Sequence, residues 1–188
     1  MNEKSFLNQY FNNLKKLINE EKYIEDLIKV KKILVTTHNL GKKTMIFGNG
    51  GSAAISSHFS VDLTKNAKVR CTNYNESDLL TCFSNDFGYE NWVQKALEFY
   101  ADEDDTLILI SAGGNSPNMV NAAKYAREKK FNKIITFTGN QKNNKLSGLG
   151  DINFWVDSKS YNQIENVHQI LLLSLVDLII GKSEYPPN

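Results

Sequence analysis

Thr44-Met45-Ile46-Phe47 runs directly into Gly48-Asn49-Gly50-Gly51-Ser52, and Ala53-Ala54 follows. A short apolar run ended by glycines reads as a buried strand and a tight turn. Residues 53 to about 65 then read as a helix. The pattern returns at Thr106-Leu107-Ile108-Leu109-Ile110, which ends in Ser111-Ala112-Gly113-Gly114-Asn115-Ser116-Pro117. There Ser116 is placed to cap a helix, and Pro117 suits its first turn.

Working outward, residues 134–137 and 152–156 read as two further strands. Helices are expected over 78–84, 89–100, 119–130 and 161–180. Strands that are continuous apolar runs and alternate with helices argue for a parallel sheet covered on both faces. The fold class expected is α/β, a three-layer doubly wound parallel sheet. Ahead of it, Phe6, Leu7, Tyr10, Phe11, Leu14, Leu17 and Ile18 recur at helical spacing, and Ile24, Leu27, Ile28, Val30, Ile33 and Leu34 form a second stripe. These predict an N-terminal helical hairpin over 1–40, before an α/β core over 41–188. The stripes need burial, and packing against another subunit supplies it, so an oligomer is expected.

Composition narrows the class. The chain has 188 residues, enough for one domain with a sizeable core. Its 22 basic and 21 acidic side chains leave a net charge of +1, and the basic pairs are scattered. No nucleic-acid footprint follows from that balance. Cys71 and Cys82 match no zinc spacing or disulfide framework and are expected to be buried thiols in a reducing compartment. The apolar stretch over 170–180 is interrupted by Ser174 and Asp177 and is short for a bilayer span. Without a signal-peptide pattern at the start, a cytoplasmic protein with no membrane partner is expected.

In open parallel sheets, ligands bind beyond the carboxyl ends of the strands. Both glycine-rich turns stand there, each leading into a helix whose first N–H groups attract anions. Ser52 and Ser116 add hydroxyl donors. A tight turn alone explains one such loop; two in one chain point to a phosphorylated small molecule. The first turn lacks the third glycine of the dinucleotide fingerprint and is not followed by the lysine of a nucleotide P-loop, so no nucleotide cofactor is expected.

The stretch Gly48-Asn49-Gly50-Gly51-Ser52-Ala53-Ala54 with His58-Phe59 resembles the signature of the phosphoheptose isomerases, enzymes of the sugar isomerase (SIS) fold. Leu79-Leu80-Thr81, Asn85-Asp86-Phe87-Gly88-Tyr89-Glu90, the 111–118 loop and the 164–178 helix match in order. The resemblance spans essentially the whole chain, 1–188, as a single SIS domain. It implies aldose–ketose isomerisation of a sugar phosphate such as sedoheptulose 7-phosphate. It also implies that Asn49, Gly50 and Gly51 line the site, that Asn85 and Asp86 contact sugar hydroxyls, and that Ser111, Gly113 and Ser116 form the phosphate loop. Homotetramers with sites between subunits are typical of the family.

The catalytic end departs from that pattern. The family holds zinc with His, Glu, Gln and His, and moves protons with the Glu and the last His. Here the corresponding residues are His58, Asp62, Glu165 and Leu173. The resemblance thus implies at most a three-ligand zinc set of His58, Asp62 and Glu165, with Asp62 as the base. Leucine neither ligates nor carries a proton. The phosphate loop has lost two hydroxyls, and an arginine is missing near Tyr161. His168 is expected in a packed or surface role, outside the zinc set, and His38 in a structural one. Two functions stay open at this point: an isomerase with a rearranged site, or an inactive relative acting as a sugar-phosphate sensor or protein-interaction module.

Overall fold

The computed structural model describes residues 2–19 and 21–186; Met1, Glu20, Pro187 and Asn188 lie outside the described residues. Two helices, α1 (Glu3–Ile18) and α2 (Glu21–Asn39), precede the first strand, β1 (Thr44–Phe47). There follow α3 (Gly51–Lys65), β2 (Cys71–Thr72), α4 (Ser77–Phe87), α5 (Trp92–Tyr100) and β3 (Thr106–Ser111). The chain continues through α6 (Pro117–Glu128), β4 (Lys133–Gly139), β5 (Ile152–Val156) and α7 (Tyr161–Ile180). Every expected strand and helix is present. The two-residue edge strand β2 has no apolar run of its own, so nothing in the sequence pattern announces it.

All five strands pair in parallel in the order β2-β1-β3-β4-β5. Alternate side chains feed opposite cores, as the strand's period of two requires. Ile46, Ile108, Ile110, Ile135 and Phe137 pack under α2, α3 and α7. Met45, Phe47, Leu107, Leu109 and Ile134 pack under α5 and α6, with α4 at the margin. The sheet is therefore the middle of three layers. Its order reverses between β1 and β3, and the loops leaving those strands part there to opposite faces, opening a crevice.

α7 is 20 residues long and, by length and composition alone, apolar enough to cross a membrane. Here it is a core helix: Ile164, Val167, Leu171, Leu172, Leu175 and Val176 are buried. The apolar stretch judged short from the sequence is its second half. α1 lies along α7 and has no buried side chain; Phe6, Leu7 and Phe11 are about half exposed or more, at 49%, 51% and 60%. The thiols differ from expectation. Cys71 is half-buried beside the sheet edge and Cys82 is exposed on α4, because that helix turns the Cys82 face outward.

At the opposite end of the sheet, fully buried Asp105 ties two strand starts together. Its Oδ1 accepts from the Lys43 amide at 2.9 Å and its Oδ2 from the Asp102 amide at 2.8 Å, and Lys43 Nζ stands 2.7 Å away. Asp105→Ala strands two amides and leaves the Lys43 ammonium with Asp102 alone, so a loss of about 2–4 kcal/mol is expected. Urea denaturation followed by circular dichroism measures it.

Candidate functional site

The two glycine-rich turns meet. Asn49, Ser52, Ser111, Gly113, Ser116 and Glu165 are among the residues that line one cavity of about 410 Å³ at the crevice between β1 and β3. That size suits a small phosphorylated molecule. The first wall is the turn at Gly50, where φ is 53° and ψ is −121°, a conformation that L side chains seldom adopt. No side chain caps α3 there, so its first N–H groups face the hollow.

The second wall is the loop after β3. Ser111 Oγ accepts from the Gly114 amide at 3.1 Å and shares a 2.9 Å hydrogen bond with Ser116 Oγ. Ser116 stands at the N-cap of α6 with Pro117 in the first turn, as expected, but its side chain makes no cap bond. The serine pair takes the hydroxyl instead. The α6 N-terminus is therefore left free of a side-chain cap, with its dipole toward the cavity. Asn115 Oδ1 accepts from the Lys145 amide, and the Leu146 amide bonds Gly114 O, so the loop after β4 braces this wall.

The walls are joined by a pair of amides. Asn49 Nδ2 donates to Asn118 Oδ1 at 3.0 Å, and Asn118 Nδ2 donates back to Asn49 Oδ1 at 2.8 Å. Tyr89 Oη adds a bond to Asn49 Oδ1 at 3.0 Å. Asn118, Asn140, Gln141 and Tyr161 were not singled out from the sequence. Asn140 and Gln141 follow a strand's carboxyl end, a position that marks them as site candidates. The buried Asn118 sits two residues after Ser116 and carried no such signal.

Glu165 reaches the cavity from α7. A Cβ at Gly51 would stand 2.8 Å from its carboxyl carbon, so the missing side chain makes room for the carboxylate at the α3 N-terminus. Glu165 also lines a neighbouring cavity with Tyr10, Gly51, Ala54, Ile55 and His58. His58 and Asp62 share one face of α3, as their spacing requires. Their side chains bind each other, with His58 Nε2 3.1 Å from Asp62 Oδ2, and Asn66 Nδ2 donates to Asp62 Oδ1 at 3.3 Å. Among the described residues no three His, Cys, Asp or Glu side chains gather into a group able to hold a metal ion. A catalytic zinc needs at least three protein donors. Within this chain the residues do not fit that ion: the imidazole and carboxylate of α3 engage one another, Glu165 lies at Gly51, and Leu173 offers no donor. Asn85 and Asp86 lie on exposed α4, outside both cavities, with Asn85 Nδ2 donating to Asp86 Oδ1 at 2.8 Å.

The SIS domain model matches residues 6–139. The phosphoheptose isomerase of Aliarcobacter butzleri is 35% identical over 82% of this chain and 84% of its own length. That of Photorhabdus laumondii is 32% identical over 94% and 93%. The chain belongs to the SIS-domain family, in its phosphoheptose isomerase branch. The solved phosphoheptose isomerase GmhA from Neisseria gonorrhoeae shares the fold of this SIS protein with a TM-score of 0.85, at 24% identity over 94% of this chain and 98% of that one.

Of the two roles expected for His168 the structure shows the packed one, and His38 is structural. His38 Nδ1 accepts from the Arg70 amide at 3.2 Å. His168 is fully buried on α7, edge-on to Phe137, with Nε2–H donating to Thr138 O at 3.1 Å and Nδ1 without a partner. Burial lowers its pKa to about 4, only partly countered by that hydrogen bond. The ring is thus neutral in the fold while the unfolded chain titrates near 6.5. Stability from this group is complete above pH 6.5 and is lost as pH falls toward 4, by about 3 kcal/mol in all. Urea midpoints for wild type and His168→Gln, measured from pH 7.5 to 4, are expected to converge as the pH drops.

Proposed function

We propose that this protein is an aldose–ketose isomerase acting on a phosphorylated sugar, with sedoheptulose 7-phosphate as the substrate to try first. One observation carries the reading: two uncapped helix N-termini and a carboxylate line a single hollow at the point where the strand order reverses. The backbone N–H groups of Gly113, Asn115 and Ser116, ahead of α6, receive the phosphate, helped by the Ser111–Ser116 pair. Asn49, Gly50, Gly51 and Ser52 face the sugar. The curated relatives are phosphoheptose isomerases that match this chain over nearly their full length, and this favours catalysis over a sensor role.

The assay is incubation of the purified protein with sedoheptulose 7-phosphate, followed by NMR detection of the aldose. Turnover is expected. Ser116→Ala should raise KM about tenfold, the effect of one hydrogen bond to a charged group. No turnover on heptose, hexose or pentose phosphates overturns the reading.

We further infer that residues 1–188 act as one SIS domain in a cytoplasmic homotetramer, with the N-terminal helices at the subunit contacts. The half-exposed Phe6, Leu7 and Phe11 on α1 support this, since an apolar stripe of that kind is ordinarily covered. Light scattering is expected to give four chains per particle, and Phe11→Glu is expected to shift it to smaller species.

A further inference from the structure

Sugar isomerisation needs a group that takes a proton from carbon and returns it to the neighbouring carbon. In the family that work belongs to the positions held here by Asp62 and Leu173. Leu173 has no proton to give. Asp62 lies one turn beyond His58 on α3. It lines neither cavity and is bonded to His58 and Asn66.

Glu165 has the opposite placement. Among the residues lining the phosphate hollow it is the one carboxylate, and no Lys, Arg or His lines that hollow with it. Its carboxyl group rests against Gly51, where the first turn of α3 supplies unpaired N–H groups. Tyr161, one turn earlier on the same face of α7, brings its hydroxyl to the phosphate loop, 3.3 Å from where a Gly113 Cβ would stand. A rise of four residues is about 6 Å. One helix face thus spans from the phosphate site to a carboxylate about one turn away.

We propose that Glu165 is the proton-transferring base of this enzyme, replacing the acid–base pair of its relatives. This rests on the isomerase reading above. With open-chain sedoheptulose 7-phosphate, the Glu165 carboxylate takes a proton from C1. The C1–H electron pair forms the C1–C2 double bond, and the π pair of the C2 carbonyl moves onto O2. O2 then takes the hydroxyl proton of O1. The O1 lone pair forms the new carbonyl at C1, and the C1–C2 π pair takes the proton back from Glu165 at C2. The carboxylate is restored and the aldose leaves. The N–H groups of the α3 first turn face the oxygens on which charge develops.

The test follows deuterium exchange from D2O into C1 of sedoheptulose 7-phosphate by NMR, alongside turnover and calorimetric binding. Glu165→Gln is expected to lower exchange and turnover about 1000-fold, within the range of a general base, while substrate Kd stays within about threefold. Gly51→Ala keeps the charge but displaces the carboxylate, so kcat is expected to fall about 100-fold with less change in KM. Asp62→Asn should lose at least about 100-fold less activity than Glu165→Gln. A Glu165→Gln protein within tenfold of wild type, or an Asp62→Asn protein as impaired as Glu165→Gln, overturns the assignment alone. Wild-type protein with neither exchange nor turnover overturns the isomerase reading, and this assignment falls with it.

Discussion

The site depends on a reciprocal amide pair. Asn49 follows β1 and Asn118 opens α6 after β3, and each donates to the other across the gap where the strand order reverses. Asn118 is 1% exposed and also accepts from the Met119 amide at 3.1 Å, so it has little freedom to turn away. At a switch point, two loops leave for opposite faces of the sheet, and no ladder hydrogen bond holds their tips together. The Asn pair supplies that link. It sets the width of the crevice and hence the distance between the two anion-facing helix ends. Breaking it leaves the buried Asn118 Nδ2 without a partner at a cost of about 1–3 kcal/mol, so the pair is better made than open.

Among the described residues no cationic side chain lines the hollow. Dipoles of α3 and α6, together with loop amides, provide a field that is fixed in direction and already oriented before a ligand arrives. A lysine or arginine in their place would pair with Glu165 and hold its carboxylate away from carbon. An uncharged cradle leaves that carboxylate unpaired. Gly51 completes the arrangement, because any larger residue would occupy the space in which the carboxyl group rests.

The sheet and its two glycine-rich loops were legible in the sequence because buried parallel strands are continuous apolar runs and because two such turns, each leading into a helix, are more than tight turns alone explain. β2 escaped, since two residues at an edge carry no pattern. The pairing of Ser116 with Ser111 escaped as well: a serine ahead of a proline has the geometry of a cap, and only the folded loop shows which partner its hydroxyl takes. Asn118 left no local signal, being one more polar residue at the start of a helix. The substitutions at Asp62, Glu165 and Leu173 were visible, but the sequence treated them as one damaged set. The fold separates them, placing Asp62 against His58 on the outer part of α3 and Glu165 at the mouth of the phosphate cradle.

α7 carries both Tyr161 and Glu165 and follows every strand of the sheet. During synthesis, both halves of the anion cradle leave the ribosome well ahead of this helix. On the proposed assignment the proton-moving group comes into place with α7, and the docking of that helix also closes the larger core.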